Sequence, residues 1–260
     1  MASDSWRIDR PNASPGLYQE RGKRDRNQEP NRYGKQDKAE HLWKGYPGST
    51  VSRELLSFRY PPCMQSIAVY CASSCSLDPC FSQAARTLGA ALAQEKISLV
   101  YGGGSTGLMG ELANACKDAG GHVIGIITEY LKEREVAFAR ADELVVVDTM
   151  RERKKLMAHR ADGFMMLPGG LGTWEEFFEV LVGRVIAEHA KPIGIVNDHR
   201  YFDPLLAMID HGVEHAFIKP AARDLLVVGE DPVEVLDALG RVDPHAISAQ
   251  DLIPPLQSND

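Results

Sequence analysis

Short apolar runs alternate with amphipathic stretches between residue 66 and about residue 239 of the chain. The runs are rich in β-branched side chains, which is typical of strands buried on both faces of a sheet. They predict strands over 66–71, 97–101, 122–128, 144–147, 163–167, 193–196 and 225–228. Apolar residues spaced by three and four positions predict helices over 79–94, 108–119, 150–160, 173–188, 204–215 and 232–239. This alternation predicts an α/β fold with a doubly wound parallel sheet and helices on both faces.

The two ends of the chain have a different composition from this repeating part. Residues 1–62 are polar and carry 12 Lys and Arg against 8 Asp and Glu, a net charge of +4 within a total of -7. We therefore expect a disordered or weakly ordered extension over 1–62, a single domain over 63–243 and a loose C-terminal tail over 244–260. A related hypothesis is that the biological chain starts at Met64, directly before the first predicted strand.

Composition narrows the class of protein. No apolar run approaches the ~20 residues of a membrane helix, and the N-terminus lacks the apolar core of a secretory signal. The acidic body argues against general nucleic-acid binding. Five cysteines are an odd number, and Cys71, Cys75 and Cys80 do not form a C-x-x-C pair. We therefore expect free thiols in a reducing cytoplasm and no metal site.

The first candidate motif is the glycine turn after the second predicted strand. Gly102, Gly104 and Gly107 match the G-x-G-x-x-G dinucleotide pattern, and the acidic Glu129 follows the next strand. Such turns also occur wherever a strand enters a helix tightly, and this one follows the second strand of the unit. The turn is therefore a dinucleotide site, a packing turn or one wall of another phosphate site. No Walker A sequence occurs.

A second glycine turn, PGGLGTWEE over 168–176, also follows a buried strand. Its glycines let a ligand approach the backbone, and the helix that follows offers free N–H groups to an anion. Thr173 and Glu176 also fit a capping box, a purely structural interpretation.

The charged run MRERKK over 150–155 begins a helix after the fourth predicted strand, 144–147. The helix dipole disfavours positive charge at this end, so Arg153 and Lys154 call for a neighbouring carboxylate or an anionic ligand. Because ligands bind at the carboxyl ends of parallel strands, we expect the two glycine turns and this run to meet at one rim of the sheet.

Together, YGGGSTGLMG (101–110), MRERK (150–154) and PGGLGTWEE (168–176) resemble the LONELY GUY family of cytokinin-activating phosphoribohydrolases, often mislabelled as lysine decarboxylases. The resemblance runs from about residue 66 to about residue 239. It implies a Rossmann-like homodimer that hydrolyses the N-glycosidic bond of a nucleoside 5′-monophosphate. The products are the free base and ribose 5-phosphate, and the substrate is a cytokinin nucleotide or AMP.

The resemblance also implies roles for particular residues. Arg153 and Glu176 take the positions of the family's catalytic pair. The implied substrate-binding residues are Gly103, Gly104, Glu135, Arg153, Lys154, Gly169, Gly170, Gly172, Thr173, Glu175 and Glu176. Val182 replaces a family threonine, which leaves the base preference open. No cofactor, metal, nucleic acid or membrane is implied.

The chemistry agrees with these residue types. Cleavage of a ribosyl C–N bond passes through an oxocarbenium-like state. A carboxylate such as Glu176 can stabilise its positive charge or activate the attacking water. Two other functions stay open, a non-catalytic nucleotide or cofactor carrier and a dinucleotide oxidoreductase. His211 and His215 have the i, i+4 spacing of metal ligands, but with no third ligand in view the pattern favours ordinary histidines.

Overall fold

The computed structural model describes residues 64–134, 136–243 and 245–252. Within them, seven strands form one parallel sheet in the order β4-β3-β2-β1-β5-β6-β7. The strands are β1 (Ser66–Tyr70), β2 (Ser98–Tyr101), β3 (Val123–Thr128), β4 (Glu143–Val147), β5 (Gly163–Met166), β6 (Ile193–Val196) and β7 (Leu226–Gly229). All seven predicted strands are confirmed to within two residues at either end, and so is the doubly wound α/β class.

Helices cover both faces of the sheet. They are α1 (Ser82–Gln94), α2 (Gly107–Asp118), α3 (Glu129–Arg134), α4 (Met150–Arg160), α5 (Leu171–Val185), α6 (Asp203–Glu214), α7 (Pro220–Arg223), α8 (Pro232–Leu239) and α9 (Ala249–Leu252). Apolar side chains of α1, α2 and α8 fill one core cluster, and those of α4, α5 and α6 fill the other. Such two-sided burial explains why the strand sequences are apolar without alternation.

Helix α5 begins two residues earlier than predicted, at Leu171, and ends at Val185 rather than 188. Gly170 is its N-cap, and no side chain caps the helix. The capping-box interpretation of Thr173 and Glu176 is therefore wrong, because both lie inside the helix.

The order of the strands locates the crevice where a ligand can bind. Strand β1 pairs with β2 on one side and with β5 on the other, so the chain reverses its direction of travel across the sheet between β1 and β5. In open α/β sheets this reversal leaves a crevice at the carboxyl ends of the two strands. The segments that follow β1 and β5 therefore form the walls of the candidate site.

The predicted N-terminal extension and C-terminal tail are described only in part. The predicted extension over 1–62 is outside the described residues, so the proposed boundaries stay a prediction. Within the predicted loose tail, Ala249–Leu252 form a short helix, and Leu252 is buried in a core cluster. Among described residues, no helix has both the length and the apolar character of a membrane span.

Candidate active site

A cleft of about 280 Å³ opens at the carboxyl ends of β1 and β5. Its walls come from the segment after β1, from α2, from α4 and from the start of α5. The lining residues are Cys71, Ala72, Ser73, Ser74, Met109, Arg153, Gly170, Leu171, Gly172, Thr173 and Glu176. The cleft thus joins the second glycine turn to the charged helix, as the sequence predicts.

Arg153 crosses from α4 to the rim of the sheet and is only 6% exposed. Its Nε donates a hydrogen bond to the Ile126 carbonyl oxygen at 2.9 Å, and its Nη2 donates to the Gly102 carbonyl oxygen at 3.1 Å. A third nitrogen, Nη1, lies 3.9 Å from Oε1 of Glu176. Two backbone carbonyls therefore fix the guanidinium, and its remaining edge faces the carboxylate.

This arrangement explains the first glycine turn. A Cβ on Gly102 would lie 2.0 Å from Nη2 of Arg153, so only glycine leaves room for the guanidinium. Gly107 has a φ of +58°, and a Cβ there would lie 2.5 Å from the Ser74 carbonyl oxygen. Packing of the turn against Arg153 and Ser74 therefore accounts for both glycines, which favours the packing-turn interpretation over the dinucleotide one.

A capping box lies at the start of α4, at 149–152, and not at 173–176 as predicted. The Thr149 hydroxyl accepts a hydrogen bond from the Glu152 backbone N–H, and the Glu152 carboxylate accepts one from the Thr149 N–H, both at 3.2 Å. The Thr-x-x-Glu pattern at 149–152 was available in the sequence. Glu152 also supplies a negative charge at the helix start, where Arg153 and Lys154 carry the opposite sign.

The start of α5 is open towards the cleft. A Cβ on Gly170 or on Gly172 would meet nothing within 4 Å, so packing does not require either glycine. The first-turn N–H groups have no side-chain cap, and the positive end of the helix dipole lies with them. Open space in front of uncapped N–H groups is a favourable place for a phosphate.

The segments that follow β1 and β6 hold the second glycine turn in place. The Tyr201 hydroxyl donates a hydrogen bond to the Gly169 carbonyl oxygen at 2.8 Å, and the Ala72 N–H donates to the Pro168 carbonyl oxygen at 3.1 Å. A Cβ on Gly169 would lie 2.1 Å from Oγ1 of the buried Thr173. Sequence reasoning missed Tyr201 because no local pattern links it to the turn.

A second cavity of about 320 Å³ lies on the other side of Glu176. Its lining includes Tyr70, Lys154, Glu176, Glu179 and His189. Tyr70 is buried, and burial together with the negative charge of Glu176 raises the pKa of its hydroxyl far above the usual range. Glu176 therefore forms part of the wall of both cavities.

Lys154 forms ion pairs with Glu175 and Glu179 of α5. Burial alone would lower the pKa of Lys154, but hydrogen bonds to the two carboxylates raise it. The carboxylate predicted to neutralise this helix start is thus present. The contact also fixes α4 against α5, which carry Arg153 and Glu176.

The structure brings together some predicted site residues and separates others. Arg153, Gly170, Gly172, Thr173 and Glu176 line the cleft, and Lys154 pairs with Glu175 beside it. The glycines that do not line the cleft are buried, namely Gly103, Gly104 and Gly169. Glu135 lies outside the described residues. Direct contact between these residues and a substrate stays a prediction.

His189, beside the second cavity, makes stability depend on pH. Its Nε2 lies 2.9 Å from the Val180 carbonyl oxygen, and its Nδ1 accepts a hydrogen bond from the Lys191 N–H. Burial lowers the pKa of His189 below its usual 6.5, so the folded protein binds fewer protons than the unfolded chain. We expect the free energy of unfolding to fall as the pH drops below about 6.5.

Urea unfolding at pH 7.5 and pH 5.5 checks this expectation. His189→Gln should be less stable than the unsubstituted protein at pH 7.5, yet lose less stability between the two values. His122→Gln, at an exposed histidine, is the control and should keep the full loss. An identical loss in His189→Gln and the unsubstituted protein would contradict the assignment.

Comparison with known proteins places the chain among relatives. Residues 109–239 match the family model described as "Possible lysine decarboxylase". A protein from Rhodococcoides fascians, named cytokinin riboside 5'-monophosphate phosphoribohydrolase, is 42% identical over 186 residues, 71% of this chain and 91% of that protein. A protein from Oryza sativa subsp. japonica, named probable cytokinin riboside 5'-monophosphate phosphoribohydrolase LOGL2, is 41% identical over 179 residues, 69% of this chain and 73% of that protein.

The chain belongs to the LONELY GUY family. The resemblance carried by the motifs at 101–110, 150–154 and 168–176 is thereby confirmed. The family resemblance assigns Val182 to a threonine position, and this assignment stays a prediction. Val182 is exposed on α5 and lines neither the cleft nor the second cavity.

Solved structures share the fold at lower identity. The molybdenum cofactor binding protein of Rippkaea orientalis is 20% identical with a TM-score of 0.52, over 68% of this chain and 97% of that chain. The Moco carrier protein of Chlamydomonas reinhardtii is also 20% identical with a TM-score of 0.52, over 68% of this chain and 95% of that chain. These similarities show that the Rossmann-like architecture is common to all three.

Proposed function

We propose that this protein hydrolyses the N-glycosidic bond of a nucleoside 5′-monophosphate to the free base and ribose 5-phosphate. The observation that carries the proposal is the pairing of Glu176 with a fixed Arg153, 3.9 Å apart, beside the uncapped start of α5. A carboxylate and an anion-binding helix end in one cleft match the two halves of such a substrate. The names of its sequence relatives support the same reaction.

The 5′-phosphate binds at the start of α5. The first-turn N–H groups at 171–173 donate to the phosphate oxygens, and the open space at Gly170 and Gly172 lets the phosphate approach the backbone. This binding rests on backbone dipoles rather than on the net charge of the protein, which is -7. An acidic protein can therefore hold an anionic substrate at this point.

Glu176 acts at the ribose. As the C1′–N bond lengthens, positive charge develops on the sugar ring, and the carboxylate stabilises it and accepts a proton from the attacking water. The water oxygen bonds to C1′, and the bonding pair of C1′–N leaves with the base. The base takes up a proton from solvent, to which Glu176 releases the proton that it accepted. Arg153, fixed at the rim of the sheet, faces the Glu176 carboxylate with its Nη1 and orients it.

Release of free base tests the reaction. We expect the purified protein to release base from AMP or from isopentenyladenosine monophosphate. Chromatography measures the amount of free base. The two substrates distinguish an AMP nucleosidase from a cytokinin-activating enzyme. Tight nucleotide binding without release of any base would instead support a carrier, an alternative that rests on the shared fold alone.

A homodimer is the second part of the proposal. Helix α5 is apolar on its buried face and also carries a row of exposed apolar side chains. These are Leu171, Trp174, Phe178, Val182 and the flanking Ile186, between 37% and 80% exposed. Contiguous exposed apolar surface of this kind is typical of a protein interface, so we place a second copy of the chain against α5.

Size-exclusion chromatography with light scattering measures the assembly. We expect a dimer for the unsubstituted protein and a monomer for Val182→Glu, because a charge in the centre of an apolar interface is left without a partner. Met208→Glu, at an exposed apolar residue of α6, is the matched control and should stay dimeric. A monomeric unsubstituted protein at micromolar concentration would exclude the dimer.

The cytoplasmic location inferred from the cysteines stays a prediction. Among the described residues, Cys71, Cys75, Cys80 and Cys116 form no disulfide, and burial raises the pKa of Cys116 to about 11. A thiol with such a raised pKa is scarcely ionised at neutral pH, so Cys116 acts as a core side chain.

A further inference from the structure

The end of α6 carries three side chains that can ligate a metal. His211, Glu214 and His215 each offer one ligand atom, and the three atoms lie within 4.8 Å of one another. In the described part of the chain, no other three His, Cys, Asp or Glu side chains bring their ligand atoms this close together. The spacing of the two histidines is visible in the sequence, and Glu214 joins them one turn after His211 on the same side of the helix.

The distances suit a first-row transition metal. Zn²⁺ binds imidazole nitrogen and carboxylate oxygen at about 2.0–2.2 Å, which places the ligand atoms of a tetrahedral shell about 3.3–3.6 Å apart. Nδ1 of His211 lies 3.8 Å from Oε2 of Glu214, and the two imidazole rings are 4.3 Å apart between centroids. Small side-chain rotations therefore close the set around one ion.

The surroundings favour a cation. The three groups lie in the last turn and at the C-cap of α6, where the negative end of the helix dipole lies. The side chains of His211 and Glu214 are 61% and 76% exposed, so neither is locked in place by packing. The carboxylate contributes a charge of the opposite sign to the ion.

We propose that His211, Glu214 and His215 form a surface site for Zn²⁺ or a related divalent transition metal, with water in the fourth position. This site departs from the expectation of no metal. Its sequence has the H-x-x-E-H form found in some zinc peptidases. The cluster lines none of the described cavities, so the proposal concerns metal binding without a hydrolytic step.

The site is separate from the proposed active site. Helix α6 follows β6, and in a parallel α/β fold a helix runs back from the carboxyl ends of the strands to their amino ends. The end of α6 therefore lies towards the amino ends of the strands, and the cleft lies at their carboxyl ends. Substitutions at His211 or His215 should leave base release unchanged, so the two proposals fail or succeed independently.

Isothermal titration of ZnCl₂ into the full-length protein, without a histidine tag, tests the site. We expect one Zn²⁺ per chain at micromolar affinity or tighter. The double variant His211→Ala/His215→Ala should weaken binding at least about tenfold, since two of the three ligands are removed. His159→Ala/His245→Ala removes two exposed histidines elsewhere and should bind as the unsubstituted protein does.

A thermal scan supplies a second readout. Zn²⁺ that binds only the folded protein raises the melting temperature, and the rise should disappear in the double variant. Glu214→Gln should bind with intermediate affinity because both imidazoles remain. Absence of binding, or equal binding by the double variant and its control, would overturn the proposal.

Discussion

Glu176→Gln is expected to lower the rate of base release by about 10²- to 10⁴-fold. The amide is nearly the same size as the carboxylate, so the cleft keeps its shape. It carries no negative charge to stabilise the ribosyl cation, and it cannot accept the proton of the attacking water. Nucleotide affinity should change little, because the phosphate binds to backbone N–H groups at the start of α5.

Glu179→Gln is the matched control for this variant. Glu179 lies on the same helix and pairs with Lys154, but it does not line the cleft. The control should therefore keep its base release, and near-normal turnover by Glu176→Gln would contradict the role given to the carboxylate. Equilibrium binding of AMP to both variants separates loss of catalysis from loss of binding.

Arg153→Ala is expected to lose both activity and stability. Removing the guanidinium leaves the buried carbonyl oxygens of Ile126 and Gly102 without their donors, at a cost of about 2–4 kcal/mol in the free energy of unfolding. It also removes the group that orients Glu176. Urea unfolding measures the first effect and chromatography of the released base the second.

Gly102→Ala separates these two effects. The new methyl group would lie 2.0 Å from Nη2 of Arg153, so the guanidinium must move although every charged residue of the cleft is retained. We expect base release to fall about 10²-fold, the usual cost of misplacing a catalytic group by about 1 Å. Gly120→Ala is the control, because its φ of +79° makes alanine costly there, while the new methyl group would meet nothing within 4 Å. Equal base release by Gly102→Ala and Gly120→Ala would contradict the need for the observed position of the Arg153 guanidinium.

Much of the fold follows from the sequence, because burial leaves a local signal. Strands such as Gly163–Met166 and Ile193–Val196 are apolar throughout since helices cover both faces, and their positions can be predicted without knowing their neighbours. The order of the strands leaves no such signal. The meeting of the second glycine turn and the charged helix was predicted from one rule about the carboxyl ends of parallel strands.

The site itself is less predictable from sequence. Thr-x-x-Glu occurs at 149–152 and at 173–176, and only the backbone shows that the first is a capping box while the second lies within a helix. Gly103 lies in the first glycine turn, yet it is buried and does not line the cleft. The segment over 72–74 lines the cleft although its small side chains carry no chemical signature.

The role of Arg153 shows why side-chain partners need the structure. Its charge at a helix start predicted a carboxylate or an anion as partner, and Glu176 meets that expectation. The carbonyls of Ile126 and Gly102 are equally important partners, but they lie 27 and 51 residues away along the chain. Backbone carbonyls look alike in any sequence, so no pattern could have identified these two.

Quantifying both products of one reaction tests the central claim most directly. The full-length protein is incubated with AMP and with isopentenyladenosine monophosphate, and free base and ribose 5-phosphate are measured by chromatography and mass spectrometry at several times. We expect equal amounts of base and ribose 5-phosphate from at least one substrate, and at least about 10²-fold slower formation of both with Glu176→Gln. Nucleotide that binds and is recovered intact from the unsubstituted protein, or equal turnover by the variant, would contradict it.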